Sequence, residues 1–213
     1  TTWWRSRTVE ALSKERREIS VESVLASPGD PTGLERQVEE LQREVESLDK
    51  GEATLSLHSG RYFAARRREL ITAPCPRGDA VRIRLVLLTL DRFERSETLH
   101  CESTDLSPPT NSVRVLNRGN HSTPPCFEIE PLTSLNDLEV EVGDNRLTFN
   151  GTLAPGDRLV IDTENNRATL NDSTNVTHLT DAFPWLSPGW TRVAAGGGSA
   201  TGTLTITYRD LWV

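Results

Sequence analysis

Apolar residues recur along this chain at two periods. Leu34, Val38, Leu41, Val45 and Leu48 follow one another at spacings of four, three, four and three, with Glu, Gln and Arg between them. That is the period of a helix with one apolar stripe. Thr32 and Glu35 read as a capping box at its start and Gly51 as its stop, which predicts a single helix over residues 33–49. The run from Ser27 to Gly33 just before it is dense turn chemistry. The stripe has only the a/d width and is too short for a free coiled coil. It is expected to lie across a sheet, either its own or a neighbour's.

Elsewhere the period is two. Ile19–Val24 alternates, residues 53–58 read as a short strand, and Val81–Leu90 begins as strict alternation and ends wholly apolar. From about residue 99 the chain turns to Thr, Asn, Ser and Gly, with strands expected at 112–117, 125–130, 135–142, 146–150, 158–163, 167–170 and 203–209. Asn150-Gly151, Pro155-Gly156 and Pro188-Gly189 are turn signals, and Gly196–Ser199 reads as a loop before the last strand. Short strands at such even spacing describe an antiparallel sandwich or barrel. The pattern therefore predicts a mainly β chain of two domains, residues 1–98 with the helix and residues 99–213 without one.

Charge falls along the same division. Residues 1–98 carry 17 basic and 17 acidic side chains, whereas 99–213 carry 7 and 14 and so hold the whole net charge of −7. Double-stranded DNA calls for a basic stripe, which an acidic half does not offer. The longest aliphatic run is Leu85–Leu88, which excludes a helical membrane span, and no apolar signal region opens the sequence. Of the basic residues 22 are Arg, a bias expected of a GC-rich or thermophilic source. Methionine is absent and Thr1 comes first, as removal of an initiator Met would leave it. Cys75, Cys101 and Cys126 are odd in number and far apart, so free thiols in a reducing cytoplasm are expected.

No catalytic site can be assembled from the motifs of this sequence. His100-Cys101-Glu102 has the His-x-Glu form of a zinc deaminase, but Pro74-Cys75 and Pro125-Cys126 lack the second Cys of that motif. A polar linker between domains is the simpler reading. His58, His121 and His178 are isolated, and neither a nucleophile elbow nor a P-loop occurs. Glu139 and Glu141 share a strand face with Asp144 nearby. They could serve glycoside hydrolysis, yet alternating acids more commonly line a solvated face. Arg77-Gly78-Asp79 spells an integrin-recognised tripeptide in what reads as a plain turn, and Asn120, Asn150, Asn171 and Asn175 head sequons that are silent outside a secretory route. Arg66-Arg67-Arg68 faces alternate sides of an extended segment with no aromatic interleaving for base stacking. No catalytic residue, cofactor or metal ligand is assigned.

The C-terminal sequence is more distinctive. Gly151-Thr-Leu-Ala-Pro-Gly-Asp157-Arg-Leu-Val-Ile-Asp162 is followed by Phe183-Pro-Trp-Leu-Ser-Pro-Gly189 and by Tyr208-Arg-Asp-Leu-Trp212. Asn117-Arg-Gly119, Thr123-Pro124 and Phe127-Glu-Ile129 precede them. Together these resemble the C-terminal domain of siphophage distal tail proteins. Upstream the order of elements agrees: a strand, a helix, Arg61 opening a strand, then the long strand ending in Asp91-Arg-Phe93. Thr1–Ser13 has no counterpart.

The resemblance implies an N-terminal, tail-tube-like β-sandwich carrying the helix and a galectin-like antiparallel β-sandwich after it. It implies a non-enzymatic virion protein, assembled in the bacterial host cytoplasm, whose copies form a ring, six in number, at the tail tip. Its partners would be the tail tube, tape measure and tail-tip hub proteins, with a host-surface glycan as a further candidate. The interface candidates are Leu34, Val38, Leu41, Val45 and Leu48. The alternatives are another tail-tube or tail-tip structural protein and a carbohydrate-binding module. For the module, Trp185 and Trp190 would be the glycan contacts with Trp212 nearby, although Pro184 and the terminal place of Trp212 favour packing anchors.

Overall fold

The computed structural model describes residues 7–12, 17–27, 29–47, 53–56, 58–76, 80–90, 92–106, 112–172, 174–176, 179–197 and 200–213. Leu48, Gly51, Arg77–Asp79 and His178 lie outside these. In chain order the elements are β1 (Arg7–Leu12), β2 (Arg17–Ala26), α1 (Pro31–Ser47), β3 (Ala53–Leu55), β4 (Arg61–Pro74), β5 (Ala80–Thr89), β6 (Glu94–Ser96), β7 (His100–Leu106), β8 (Ser112–Asn117) and β9 (Cys126–Pro131). They continue with β10 (Leu135–Val142), β11 (Asn145–Leu153), β12 (Leu159–Asp162), β13 (Arg167–Leu170), β14 (Thr174–Asn175), β15 (Leu179–Thr180), β16 (Gly189–Gly196), β17 (Gly202–Tyr208) and β18 (Leu211–Trp212). The fold is mainly β with one helix, as the sequence periods predict. The chain divides into two compact units, Thr1–Glu94 and Arg95–Val213.

In the first unit β1-β2-β5-β4 form an antiparallel sheet, with β3 also on β4. The helix starts two residues earlier than the capping box predicts. Asp30 is the cap: its carboxylate accepts the Gly33 N–H at 2.8 Å and its carbonyl the Leu34 N–H at 3.1 Å. Asp is as good a cap as Thr, and Pro31 takes the first helical position, where its missing N–H is no loss. The stripe then lands on the chain's own sheet. Leu34 packs with Leu25 of β2 and Ile83 of β5, and half-buried Val38, Leu41, Leu70 and Val81 pack against that cluster. Val45 is buried as well.

The second unit is an antiparallel sandwich. One sheet runs β15-β11-β10-β16-β8 and the other β14-β13-β12-β9-β17-β7. Their inner faces share one core, from Val115, Val140, Leu147 and Val193 on one side to Phe127, Ile129, Leu159, Ile161, Leu204 and Ile206 on the other. Three sequence expectations change here. His100-Cys101-Glu102 is no linker but the start of β7, paired residue for residue with β17. It is an edge strand that buries little besides Leu106, so its sequence lacks apolar alternation. Asn150-Gly151 makes no turn and lies inside β11, where a Cβ on Gly151 would come within 2.6 Å of the Phe149 ring. The hairpin turn instead sits at Gly143-Asp144, with Gly143 at φ +59°. The segment before Gly196 is also a full strand, β16, and not merely an approach to a loop.

Candidate functional site

The residues that carry the family resemblance converge on a buried polar joint in the second unit. Asn117, 2% exposed, ends β8 and donates from its amide to the carbonyls of His121 (2.9 Å) and Leu186 (3.1 Å), while its own oxygen accepts the Gly119 N–H at 2.9 Å. Asp210 is equally buried, accepting the Arg118 N–H at 2.9 Å and lying 2.9 Å from His100 Nε2. The His100 ring stacks on Tyr208 with centroids 4.8 Å apart, and the Tyr208 hydroxyl donates to the Leu116 carbonyl. Thr123 bridges Leu186 through the backbone and donates its hydroxyl to the Arg209 carbonyl. Gly119 is required, since a Cβ there would stand 2.1 Å from the Leu211 carbonyl oxygen. Burial, with Asp210 and Glu102 adding to it, pushes the Tyr208 hydroxyl pKa up and keeps it a donor.

The other motifs are turn and strand clamps. Asp157 caps the Pro155-Gly156 turn by accepting the Ala154 N–H at 2.7 Å, and also accepts from the Asn171 amide at 2.9 Å. Those two bonds, Asn171 first, hold its carboxyl below the usual range. Arg158 forks onto Glu128 with bonds of 2.6 and 2.8 Å, which lowers the Glu128 pKa and raises that of the guanidinium. Asp162 holds the next turn through Asn165. Cys126 at the start of β9 has a raised thiol pKa, from burial first and then from Asp162 and Glu128. Cys75, Cys101 and Cys126 are all unpaired. These groups hold the fold.

The catalytic candidates resolve into structural pairs. Glu139 and Glu141 share one face of β10, as their alternation predicts, and both reach Arg146, at 3.3 and 3.4 Å. His58 bonds Glu94 at 2.7 Å, with Arg61 3.8 Å from the same carboxylate. His121 lies beside the Ser122 carbonyl. Arg68 bulges out of β4 and pairs with Glu18. Among the described residues no group of His, Cys, Asp or Glu is placed to hold a metal ion, and no helix is long and apolar enough to cross a membrane.

Two surfaces remain. Beside α1 lies a groove of about 350 Å³ lined by Pro31, Leu34, Val38, Pro74 and Val81, with Glu35 and Glu39 among its walls. It takes in two of the predicted interface residues. In the second unit Trp190 is 68% exposed on β16 and Trp185 38% exposed on the segment before it. Trp190 is thus no packing anchor. What anchors that segment is Leu186, fully buried in the sandwich core and bridged through its backbone to Thr123, a role its apolar character permits but does not announce.

Residues 118–212 match the family model for the siphovirus-type tail component, C-terminal domain. Two solved phage structures are similar to the chain. SPP1 Dit (gp 19.1), described as a paradigm of the hub adsorption apparatus in phages infecting Gram-positive bacteria, is 17% identical. The likeness covers 100% of this chain and 89% of that one, with a TM-score of 0.70. A chain of the phage P2 baseplate in its activated conformation with Ca is 8% identical over 97% of this chain and 87% of that one, with a TM-score of 0.39. No curated protein matches. The resemblance read from the motifs is therefore shown, and the fold is that of the SPP1 protein over the whole chain.

Proposed function

We infer that this chain is a structural component of a long-tailed phage, forming a ring of six copies that joins the tail tube to the tail tip. The observation that carries this reading is the coincidence of two independent likenesses. The second unit matches a tail-component family model, and the whole chain shares its fold with a protein described as part of an adsorption hub. In this reading residues 1–98 make the ring contacts and 99–213, a galectin-like sandwich, faces solvent. The charge division supports it, since a −7 domain at the periphery is screened over about 8 Å at physiological salt. The groove beside α1 supports it too. Leu34, Val38, Leu41 and Val45 seat the helix on its own sheet, and at the groove Leu34 and Val38 are within reach of a neighbouring copy. Closed rings of identical copies use such head-to-tail contacts. The proposed partners are the tube, tape measure and hub proteins, and the proposed setting is the virion after assembly in the host cytoplasm.

Native mass spectrometry of the purified chain tests the ring. A species at six times the 23.7 kDa of one copy is expected, and Val38→Asp should shift it toward monomer. A monomer alone at micromolar concentration would overturn the reading.

A further inference from the structure

One face of the second unit carries the charge its sequence lacks. Residues 99–213 are acidic overall, yet the solvent side of the sheet β15-β11-β10-β16-β8 gathers Arg114, Arg146 and Arg192 against Glu139 and Glu141. The register of β16 on β8 sets Arg192 directly opposite Arg114 and Trp190 directly opposite Leu116. Val115, Thr191 and Val193 point inward, so these four alternate residues all stand outward. Like charges directly opposite across strands are destabilising. The acid nearest to Arg192 is Glu141 at 3.9 Å, and it is shared with Arg146 at 3.4 Å. Arg114 has no ion-pair partner among the described residues. Beside this opposed pair stands the indole of Trp190, mostly in solvent.

We propose that this face binds an anionic polysaccharide of carboxylate-bearing pyranose rings, one ring stacking on Trp190 while its carboxylate bridges Arg114 and Arg192. A guanidinium fork takes a carboxylate through two parallel bonds, and an anion between two opposed forks relieves their repulsion. The indole supplies a flat apolar platform of the kind a sugar ring's C–H face covers. A small molecule would want a concave pocket, whereas this is an open sheet face along which a polymer can lie. A protein partner would want an apolar centre within about 800 Å² per side, but beyond Trp190, half-buried Leu116 and the small, covered Ala194 the face is charged or polar. A ring-free polyol phosphate would engage the arginines and leave the indole unused. The inference goes beyond the ring reading and does not depend on it, because binding to a sheet face is measured whether or not copies assemble.

Calorimetric titration of the full chain with alginate oligosaccharides tests it, with maltohexaose, poly(glycerol phosphate) and polyglutamate as the comparison ligands. Alginate is expected to bind, more weakly as salt rises, and maltohexaose not to bind. Trp190→Ala and the double change Arg114→Gln with Arg192→Gln should each weaken alginate by at least about tenfold, while Trp185→Phe leaves it unchanged. Arg192→Lys keeps the charge but loses the fork, so it should also weaken binding. It provides the same reading if the double variant fails to fold. No alginate binding at millimolar ligand, or binding indifferent to Trp190→Ala, overturns the proposal. So does polyglutamate binding as tightly as alginate, which would mark an acidic protein surface, or poly(glycerol phosphate) doing so, which would leave Trp190 without a role.

Discussion

The two units of this chain solve the problem of burying β-strands differently. The sandwich of residues 95–213 covers each sheet with the other, and one continuous core runs from Val115 to Tyr208. The sheet of the first unit has α1 on one side, seated on Leu25, Ile83, Leu70 and Val81. Its other side carries Glu18, Glu22, Arg82 and Arg84 interleaved with half-buried Val24 and Leu88 and with Ile71, which is 39% exposed. Arg84 reaches Glu22 at 3.9 Å and the Ser20 hydroxyl at 3.3 Å on that side. A sandwich closed on itself needs no further partner. A sheet with one side covered by a helix and the other part apolar, part ion-paired resembles the polar-apolar mixture of a protein interface. The contrast supports the proposal that the first unit makes the contacts between copies.

The strongest way to break that contrast is to damage the closed core. Phe127→Ala should cost about 3–5 kcal/mol in the second unit and leave hydrogen exchange in β2 and β5 unchanged. If exchange there accelerated to the same extent, the units would not be separate in stability. A smaller loss, about 1–3 kcal/mol, is expected from Asn117→Ala. It strips partners from two carbonyls and the Gly119 N–H, in a site that is closed. Urea unfolding that moves by less than about 0.5 kcal/mol would mean that water replaces the amide.

The smallest effect is a pH dependence. Arg158 holds the Glu128 carboxyl below its ordinary value of 4.5, so the stabilisation it provides is present above that value and fades as the pH falls through the folded one. Glu128→Gln should flatten the acid limb of a melting-temperature profile below about pH 4.5 without altering the neutral region. An unchanged acid limb would show that the pair adds nothing to folding.

What could be read beforehand follows physical lines. Strands with one face in the core, such as β8 and, beyond its bulge at Asp137, β10, alternate, and their bounds agree residue for residue with the expected 112–117 and 135–142. The edge strand β7 pairs its backbone but buries few side chains, so nothing in its composition marks it. In β16 the inward positions are Thr191, Val193 and Ala195, and the small, Gly-flanked residues blur the alternation. The helix is legible from its stripe. That the stripe packs against Ile83 of the chain's own sheet is a tertiary fact, which no spacing contains. In the sequence Asn117 and Asp210 stand only as parts of motifs. Their meaning, a joint that ties Asn117 to Leu186 sixty-nine positions on and Asp210 to Arg118 ninety-two positions back, appears once the distant segments are brought together.

The place of β17 has a consequence for biosynthesis. It is the strand between β9 and β7, hydrogen-bonded to both along its length, and it leaves the ribosome long after either of them. Until it emerges, β7 lacks a partner in its sheet and β9 keeps one edge bare, while Asp210 is not yet present to receive the Arg118 N–H. Unpaired edges of this kind invite pairing between chains, and polysomes bring nascent chains close together. Because synthesis runs at about 5–20 residues per second, the interval in which β7 and β9 are exposed lasts several seconds for each copy. Protection of those two edges during that interval is then a requirement of folding separate from the stability of the finished sandwich.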